Sequence, residues 1–82
     1  MDIRRKRLAY RANYRGFKEA DLILGGFAKA HVEALSEEEL TMFEQLLDAA
    51  DQDIYEWISG KTPTPTQYET SLLKKIRQFK PI

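Results

Sequence analysis

Residues 35–50, with the sequence LSEEELTMFEQLLDAA, decide the fold class of this 82-residue chain. Ser36 and Glu39 have the spacing of a capping box, in which each side chain satisfies a backbone N–H group at the start of a helix. The apolar residues that follow recur every three or four positions and so fall on one helical face; they are Leu40, Phe43, Leu46, Leu47 and Ala50. The stretch predicts an amphipathic helix that starts at Ser36 and buries one face.

The N-terminal half also follows a helical period. Residues 3–12 predict a basic helix anchored by Leu8, and a second helix follows whose apolar face is formed by Phe17, Ala20, Leu24 and Ala28. Glycine costs a helix about 1 kcal/mol per residue relative to alanine. We therefore expect Gly25 and Gly26 to end or bend the second helix, with residues 28–34 forming a separate short one.

Two further helices are predicted in the C-terminal half. Asp51 has the residue type of an N-cap, and Gly60 suits the left-handed end of the helix that Asp51 opens. After a linker with two prolines, Thr66 and Glu69 form a second capping box for the last helix, and Pro81 marks its stop. The apolar positions of that helix are Tyr68, Leu72, Leu73, Ile76 and Phe79.

The fold class is therefore all-α, a compact bundle of about five short helices in one domain, residues 1–82. No stretch alternates apolar and polar residues as a half-buried strand does. A bundle this small needs nearly all its large apolar side chains in the core, so we expect only one or two of them to remain exposed.

Composition excludes several kinds of chemistry. The chain has no cysteine and one histidine, which excludes disulfides, thiolate metal sites and thiol catalysis. His31 stands alone, and the acidic run Glu37–Glu39 is explained by helix capping, so we expect neither a catalytic residue nor a metal ligand. No apolar run approaches the roughly 18–20 residues that span a membrane, and no apolar stretch follows the basic start as in a secretory signal. We expect a cytoplasmic protein without membrane insertion.

The zero net charge hides an uneven distribution. Seven basic side chains against one acidic give residues 1–18 a charge of +6, whereas residues 19–59 carry −10 and residues 60–82 carry +4. Opposite charges along one chain attract each other on folding. The pattern predicts ion pairs between the basic ends and the acidic middle.

A basic cluster near the N-terminus is one candidate binding surface. Residues 4–7 have the sequence RRKR, and Tyr10, Arg11 and Tyr14 follow at helical spacing. Basic side chains interleaved with aromatic ones are typical of nucleic-acid surfaces. The acidic middle of the chain opposes this interpretation, because it would repel phosphate.

The segment RGFKEAD, residues 15–21, is the second candidate. Arginine offers a planar fork of donors for the carboxylates and carbonyls of a partner, and the adjacent Gly16 lets another backbone approach closely. If the segment is helical, Arg15, Gly16 and Glu19 share one face. From these residues alone, a flat partner-binding patch and a helix start with an ordinary Arg15–Glu19 ion pair are equally acceptable.

With this segment the chain resembles the SdhE/YgfY family, also called Sdh5 or succinate dehydrogenase assembly factor 2. The hallmark R-G-x-x-E-x-D is present in full as Arg15, Gly16, Glu19 and Asp21. The likeness extends over essentially the whole chain, including Arg11 before the motif, the LSEEE helix start and the segment DQDIYEWI at residues 51–58.

The resemblance implies an assembly factor and not an enzyme. Members of this family bind the flavoprotein subunit of succinate dehydrogenase, or of fumarate reductase, and promote covalent attachment of FAD to a histidine of that client. The resemblance places Arg11, Arg15, Gly16 and Glu19 at the client interface, with Asp21 supporting them. It also implies that FAD is the client's cofactor and is not stably bound by this chain, which is expected to be a monomer when free.

Two alternatives stay open at this point. One is a nucleic-acid-binding or antitoxin-like regulator that uses the basic N-terminus, although we expect no nucleic-acid partner. The other is a flavin carrier that delivers FAD itself, and the sequence does not separate delivery from client binding.

Overall fold

The computed structural model describes residues 2–79, and these form five α-helices with two short 3-10 turns and no strand. The helices are α1 (Ile3–Asn13), α2 (Lys18–His31), α3 (Glu37–Leu47), α4 (Asp51–Ser59) and α5 (Ser71–Gln78). The predicted all-α class is confirmed. The stop expected at Pro81 lies outside the described residues. None of the helices within residues 2–79 is long and apolar enough to cross a membrane.

A single core joins all five helices. Helix α2 lies along α1 and also contacts α4 and α5, while α3 contacts α1, α4 and α5. The largest fully buried side chains of this core are Leu8, Leu24, Phe27, Leu40, Phe43, Ile54, Leu72, Leu73 and Ile76. More large apolar side chains stay outside than the one or two expected, because within residues 2–79 four are at least three-fifths exposed: Ile3, Tyr10, Tyr14 and Leu22.

The helix that the sequence predicted most clearly begins as expected. The Ser36 hydroxyl accepts a hydrogen bond from the backbone N–H of Glu39 at 3.1 Å, and the Glu39 carboxylate accepts one from the backbone N–H of Ser36 at 3.0 Å. Helix α3 therefore starts with a complete capping box, and four residues of the predicted stripe are buried: Leu40, Phe43, Leu46 and Leu47. Ala50, the fifth, lies beyond the helix and is exposed.

The prediction that the glycine pair ends the second helix is wrong. Helix α2 continues through Gly25 and Gly26 to His31, and Val32–Ala34 is a 3-10 turn, so residues 28–34 form no separate helix. The physical reason is the close approach of α1. A Cβ atom at Gly25 would lie 2.4 Å from Oδ1 of Asn13 and 3.0 Å from its Cα. Gly25 serves helix packing and does not end the helix.

This contact gives a first prediction. Gly25→Ala should lower the free energy of unfolding by about 1–2 kcal/mol, because the strain of overpacking exceeds the helix propensity that alanine gains. Chemical denaturation of both proteins measures the change. Adding Asn13→Ala, which removes the closest side-chain atoms, should recover part of the loss. A Gly25→Ala protein more stable than the parent would contradict the packing role.

Two predicted helix starts shift in the C-terminal half. Ala50 is the N-cap of α4 and Asp51 is its first residue. The Asp51 carboxylate binds the side chain of Arg15, in the loop between α1 and α2, and caps no helix. Thr66 begins a 3-10 turn, and α5 starts later with Thr70 as N-cap, whose hydroxyl accepts from the N–H of Leu73 at 3.1 Å. Glu69 pairs with an arginine of α5 and caps no helix. The left-handed glycine that ends α4, with φ +80°, is as predicted.

The basic ends pair with the acidic middle as the charge pattern predicts. Arg4 binds Glu37 at 2.8 Å and Glu44 at 2.9 Å, and Arg11 binds Asp48 at 2.8 Å. The hydrogen bond from the Arg4 side chain lowers the pKa of Glu44 below its ordinary value of 4.5. These ion pairs tie α1 to α3.

A second prediction concerns acid stability. The pKa of Glu39 is also lowered, chiefly by the hydrogen bond from the Lys75 side chain. A carboxyl group whose pKa is lower in the folded than in the unfolded protein stabilises the fold at a pH above the unfolded pKa. This contribution disappears as the pH falls through the folded pKa. We expect the Tm to be nearly constant from pH 7 to about pH 5. It should then decrease as the pH falls below 4.5, the ordinary pKa of glutamate.

Thermal unfolding between pH 7 and about pH 3 tests this, with Arg4→Met as the comparison. Removing Arg4 takes away the chief cause of the lowered Glu44 pKa, so the variant should lose stability at pH 7 and show a shallower fall in acid. Parallel curves for the two proteins would show that the Arg4–Glu44 pair contributes nothing to the acid response.

Candidate functional site

The side chain of Arg15 points into the protein and joins two helices. Its guanidinium binds the Asp51 carboxylate and donates to the carbonyl oxygen of Leu47 at 2.7 Å and to that of Ala49 at 3.3 Å. Only 13% of the side chain is exposed. Arg15 therefore holds the loop before α2 against the junction of α3 and α4, and its carboxylate partner is Asp51 and not Glu19.

Asp21 fixes the same loop from the other side. Its carboxylate accepts hydrogen bonds from the backbone N–H of Arg15 at 2.9 Å and from that of Gly16 at 3.3 Å. Arg15 and Gly16 precede α2, which begins at Lys18. The expectation that Arg15, Gly16 and Glu19 share a helical face is therefore wrong, because the chain turns at Gly16 before the helix starts.

Gly16 is the exposed apex of this loop. Its φ of +87° lies in the left-handed region, which only glycine adopts without strain, and a Cβ atom built there would meet nothing within 4 Å. The next residue, Phe17, anchors the loop on α4 through Tyr55, with ring centroids 5.5 Å apart. The loop is thus held at both ends and leaves a bare backbone at its tip.

The other two motif positions lie on either side of this tip. Glu19 is exposed in the first turn of α2 and forms no hydrogen bond or ion pair with any residue of the described part of the chain. It borders a depression shared with Leu22 and Tyr55. Arg11 pairs with Asp48 and borders a second depression together with Arg15. The structure therefore gathers Arg11, Arg15, Gly16 and Asp21 around one loop, with Glu19 beside it.

The arginines of the basic N-terminal cluster are largely engaged within the protein. Arg4 binds two glutamates of α3, and Arg5 donates to the carbonyl oxygens of Val32 at 2.9 Å and Leu35 at 2.7 Å. They secure α1 and the 3-10 turn, whereas Lys6 and Arg7 of the same cluster are exposed and form no ion pair within residues 2–79. His31 packs beside Phe27, with ring centroids 5.0 Å apart. Within residues 2–79 no group of three potential metal ligands is brought together.

Asp51 is the residue of this site that the sequence did not reveal. Its position before an apolar stripe indicated an N-cap, which explains the residue type locally. The partner, Arg15, lies 36 residues earlier. Two charged residues so far apart give no periodic signal, so only the folded chain shows the pair.

Comparison with known proteins identifies the family. Residues 6–80 match the Sdh5 family, described as the flavinator of succinate dehydrogenase. The chain belongs to the Sdh5 family. The match includes the loop around Gly16, most of α1 and the other four helices.

Curated relatives of this Sdh5 chain come from bacteria and eukaryotes. The FAD assembly factor SdhE of Acetobacter pasteurianus is 38% identical over 73 residues, which cover 89% of this chain and 67% of that protein. The mitochondrial succinate dehydrogenase assembly factor 2 of Lodderomyces elongisporus is 41% identical over 95% of this chain and 49% of its own length. The counterpart in Dictyostelium discoideum is 40% identical over 89% and 52% respectively. The chain thus spans about half the length of the mitochondrial relatives.

Proposed function

We propose that this chain is an assembly factor that binds the flavoprotein subunit of succinate dehydrogenase or fumarate reductase and promotes the covalent attachment of its FAD. Membership of the Sdh5 family supports this role, since the family is described as the flavinator of succinate dehydrogenase and the Acetobacter relative is named an FAD assembly factor. The observation that carries the choice of surface is the Gly16 loop, an exposed backbone apex on a fixed support.

The loop suits a partner of defined shape. Arg15 and Asp21 are engaged in holding it, so Gly16 is presented in one conformation before any partner arrives. A surface ordered in advance loses less conformational entropy on binding than a flexible one. Glu19 supplies an exposed carboxylate beside the apex. In this proposal Gly16, Glu19 and Arg11 touch the client, while Arg15 and Asp21 position the loop.

The chemistry belongs to the client in this proposal. The described residues 2–79 contain helices and no strand, whereas the usual dinucleotide cradle lies where a strand turns into a helix. We therefore propose that the chain binds no FAD stably and acts by holding the reactive groups of the client in position, which accelerates a reaction without supplying a reacting atom. We further propose that the free protein is a monomer and acts in the cytoplasm.

Binding measurements separate this function from its alternatives. We expect sedimentation velocity to show a monomer alone and a one-to-one complex with the apo flavoprotein subunit. Titration of the free chain with FAD should leave flavin fluorescence unchanged, and a labelled oligonucleotide should not bind at physiological salt. Saturable FAD binding by the free chain would favour a flavin carrier, and salt-sensitive oligonucleotide binding without client binding would favour a nucleic-acid regulator.

A further inference from the structure

A groove between α1 and α2 leaves large apolar side chains exposed that the core does not use. It has a volume of about 580 Å³. Small residues, Ala9, Gly25 and Gly26, are part of its lining and leave it open, and Tyr10, Tyr14 and Leu22 border it with large apolar surfaces. Three of the four large apolar side chains that stay exposed within residues 2–79 thus meet at one place.

The outer side of α1 continues this apolar surface. At 3.6 residues per turn, Ile3, Tyr10 and Tyr14 fall within about 40° of one another around the helix. The core side of the same helix carries Leu8 and Ala12, both buried. The exposed Arg7 falls in the same outer row, so the outer face of α1 carries three apolar side chains and one cation, and the protein leaves it uncovered. The rings of Tyr10 and Tyr14 lie against each other, with centroids 4.6 Å apart.

The groove has a defined charge. Lys6 from α1 and Lys29 from α2 line it, are exposed, and form no ion pair with any other residue between positions 2 and 79. The carboxylate of Asp21, which also borders the groove, is occupied by the two backbone N–H groups of the motif loop. Two ammonium groups beside apolar surface complement a segment that carries carboxylates next to an apolar side chain.

The groove runs into the motif loop. Tyr14 precedes Arg15 directly, and Asp21 belongs to both features. A partner seated on Gly16 can therefore extend along α1 and α2 without leaving the surface.

From these contacts we propose that the groove binds an acidic peptide segment of the flavoprotein client, with an apolar side chain between Tyr10 and Leu22 and carboxylates on Lys6 and Lys29. This inference rests on the proposed function, because that function names the client. It assigns a second, separate contact to the complex, beyond the motif loop.

A peptide fits the groove better than a nucleic acid does. Arg4, Arg5 and Arg11 are engaged by carboxylates and carbonyls of the chain itself. Arg7 is exposed on α1 and forms no ion pair within residues 2–79, but it does not line the groove. A phosphate backbone needs a continuous basic track, and in the groove it would find two lysines with a carboxylate close by. Apolar anchors flanked by a few charges are typical of peptide recognition.

Isothermal titration with the apo flavoprotein subunit tests the proposal. The variant Lys6→Glu/Lys29→Glu should weaken binding about tenfold or more and lose most of the salt dependence, since it places like charges against the acidic segment. Tyr10→Ser should weaken binding at all salt concentrations. The matched control is Lys61→Glu/Lys74→Glu, the same two charge reversals at exposed positions outside the groove, which should bind like the parent.

The outcomes distinguish the groove from the motif loop. If the parent binds the subunit, Gly16→Arg does not, and Lys6→Glu/Lys29→Glu binds as tightly as the parent, the groove proposal is overturned and the proposed function stands. If the parent does not bind the subunit, the proposed function fails first. The double variant could also keep the client affinity of the parent and lose binding to an oligonucleotide or to a second copy of the chain. Either result would overturn the proposal, because the groove would then bind something other than the client.

Discussion

Gly16→Arg is expected to abolish flavinylation of the client while the helical bundle remains folded. A Cβ atom at Gly16 meets nothing within 4 Å and the residue is exposed, so the cost to the fold is the left-handed backbone, about 1–2 kcal/mol. At the interface, however, a long cationic side chain would separate two surfaces that otherwise meet at the bare backbone. Covalent flavin on the client and the circular dichroism of the variant measure the two effects.

The chain offers a matched control for this variant. Gly60 has almost the same conformation, with φ +80°, and also has no atom within 4 Å of a Cβ position. It ends α4 and lies outside the motif loop. Gly60→Arg should therefore cost similar stability and leave flavinylation intact. Equal loss of flavinylation in both variants would mean that strain, and not contact with the client, explains the effect of Gly16→Arg.

Arg15→Met is expected to have the largest effect on stability. It leaves the half-buried carboxylate of Asp51 without its partner and removes the donor from the carbonyls of Leu47 and Ala49. Removing one member of a largely buried ion pair costs about 2–4 kcal/mol here, given the partial exposure of Asp51. For a domain of this size each kcal/mol corresponds to about 4–8 °C in Tm. Thermal and chemical unfolding measure the loss.

The same substitution at Arg11 is the comparison. Arg11 and Asp48 form an exposed pair, with 42% and 73% of their side chains accessible. Exposed pairs contribute about 0–1 kcal/mol, so Arg11→Met should change the free energy of unfolding little. Similar, small losses for Arg11→Met and Arg15→Met would show that Arg15 is free to serve the partner and is not the support of the loop.

Local sequence signals predict most of the helices because their causes are local. The capping box of Ser36 and Glu39 and the left-handed Gly60 act within one turn of the chain, and both are found as predicted. Gly25 shows the limit. Its helix propensity is poor, but the contact of its backbone with Asn13 favours a continuous helix, and that contact depends on how two helices pack.

The candidate site divides in the same way. The motif that contains Gly16 is visible in the sequence, and so is its need for a residue without a side chain. The contacts that support the loop are not visible in the sequence. Arg15 binds Asp51 on α4, which is distant along the chain, and the Asp21 carboxylate accepts from the backbone of the loop itself. The exposed Leu22 was also missed, since an apolar residue in a helix is usually buried and its neighbours alone do not indicate otherwise.

The decisive test is covalent flavin on the client itself. The flavoprotein subunit would be produced alone, with this chain, and with Gly16→Arg, and each sample read for flavin fluorescence at the client band of a denaturing gel. The proposed function predicts strong fluorescence with the parent chain and only background in the other two samples. Equal fluorescence in all three samples, with client and chain both folded, would contradict it.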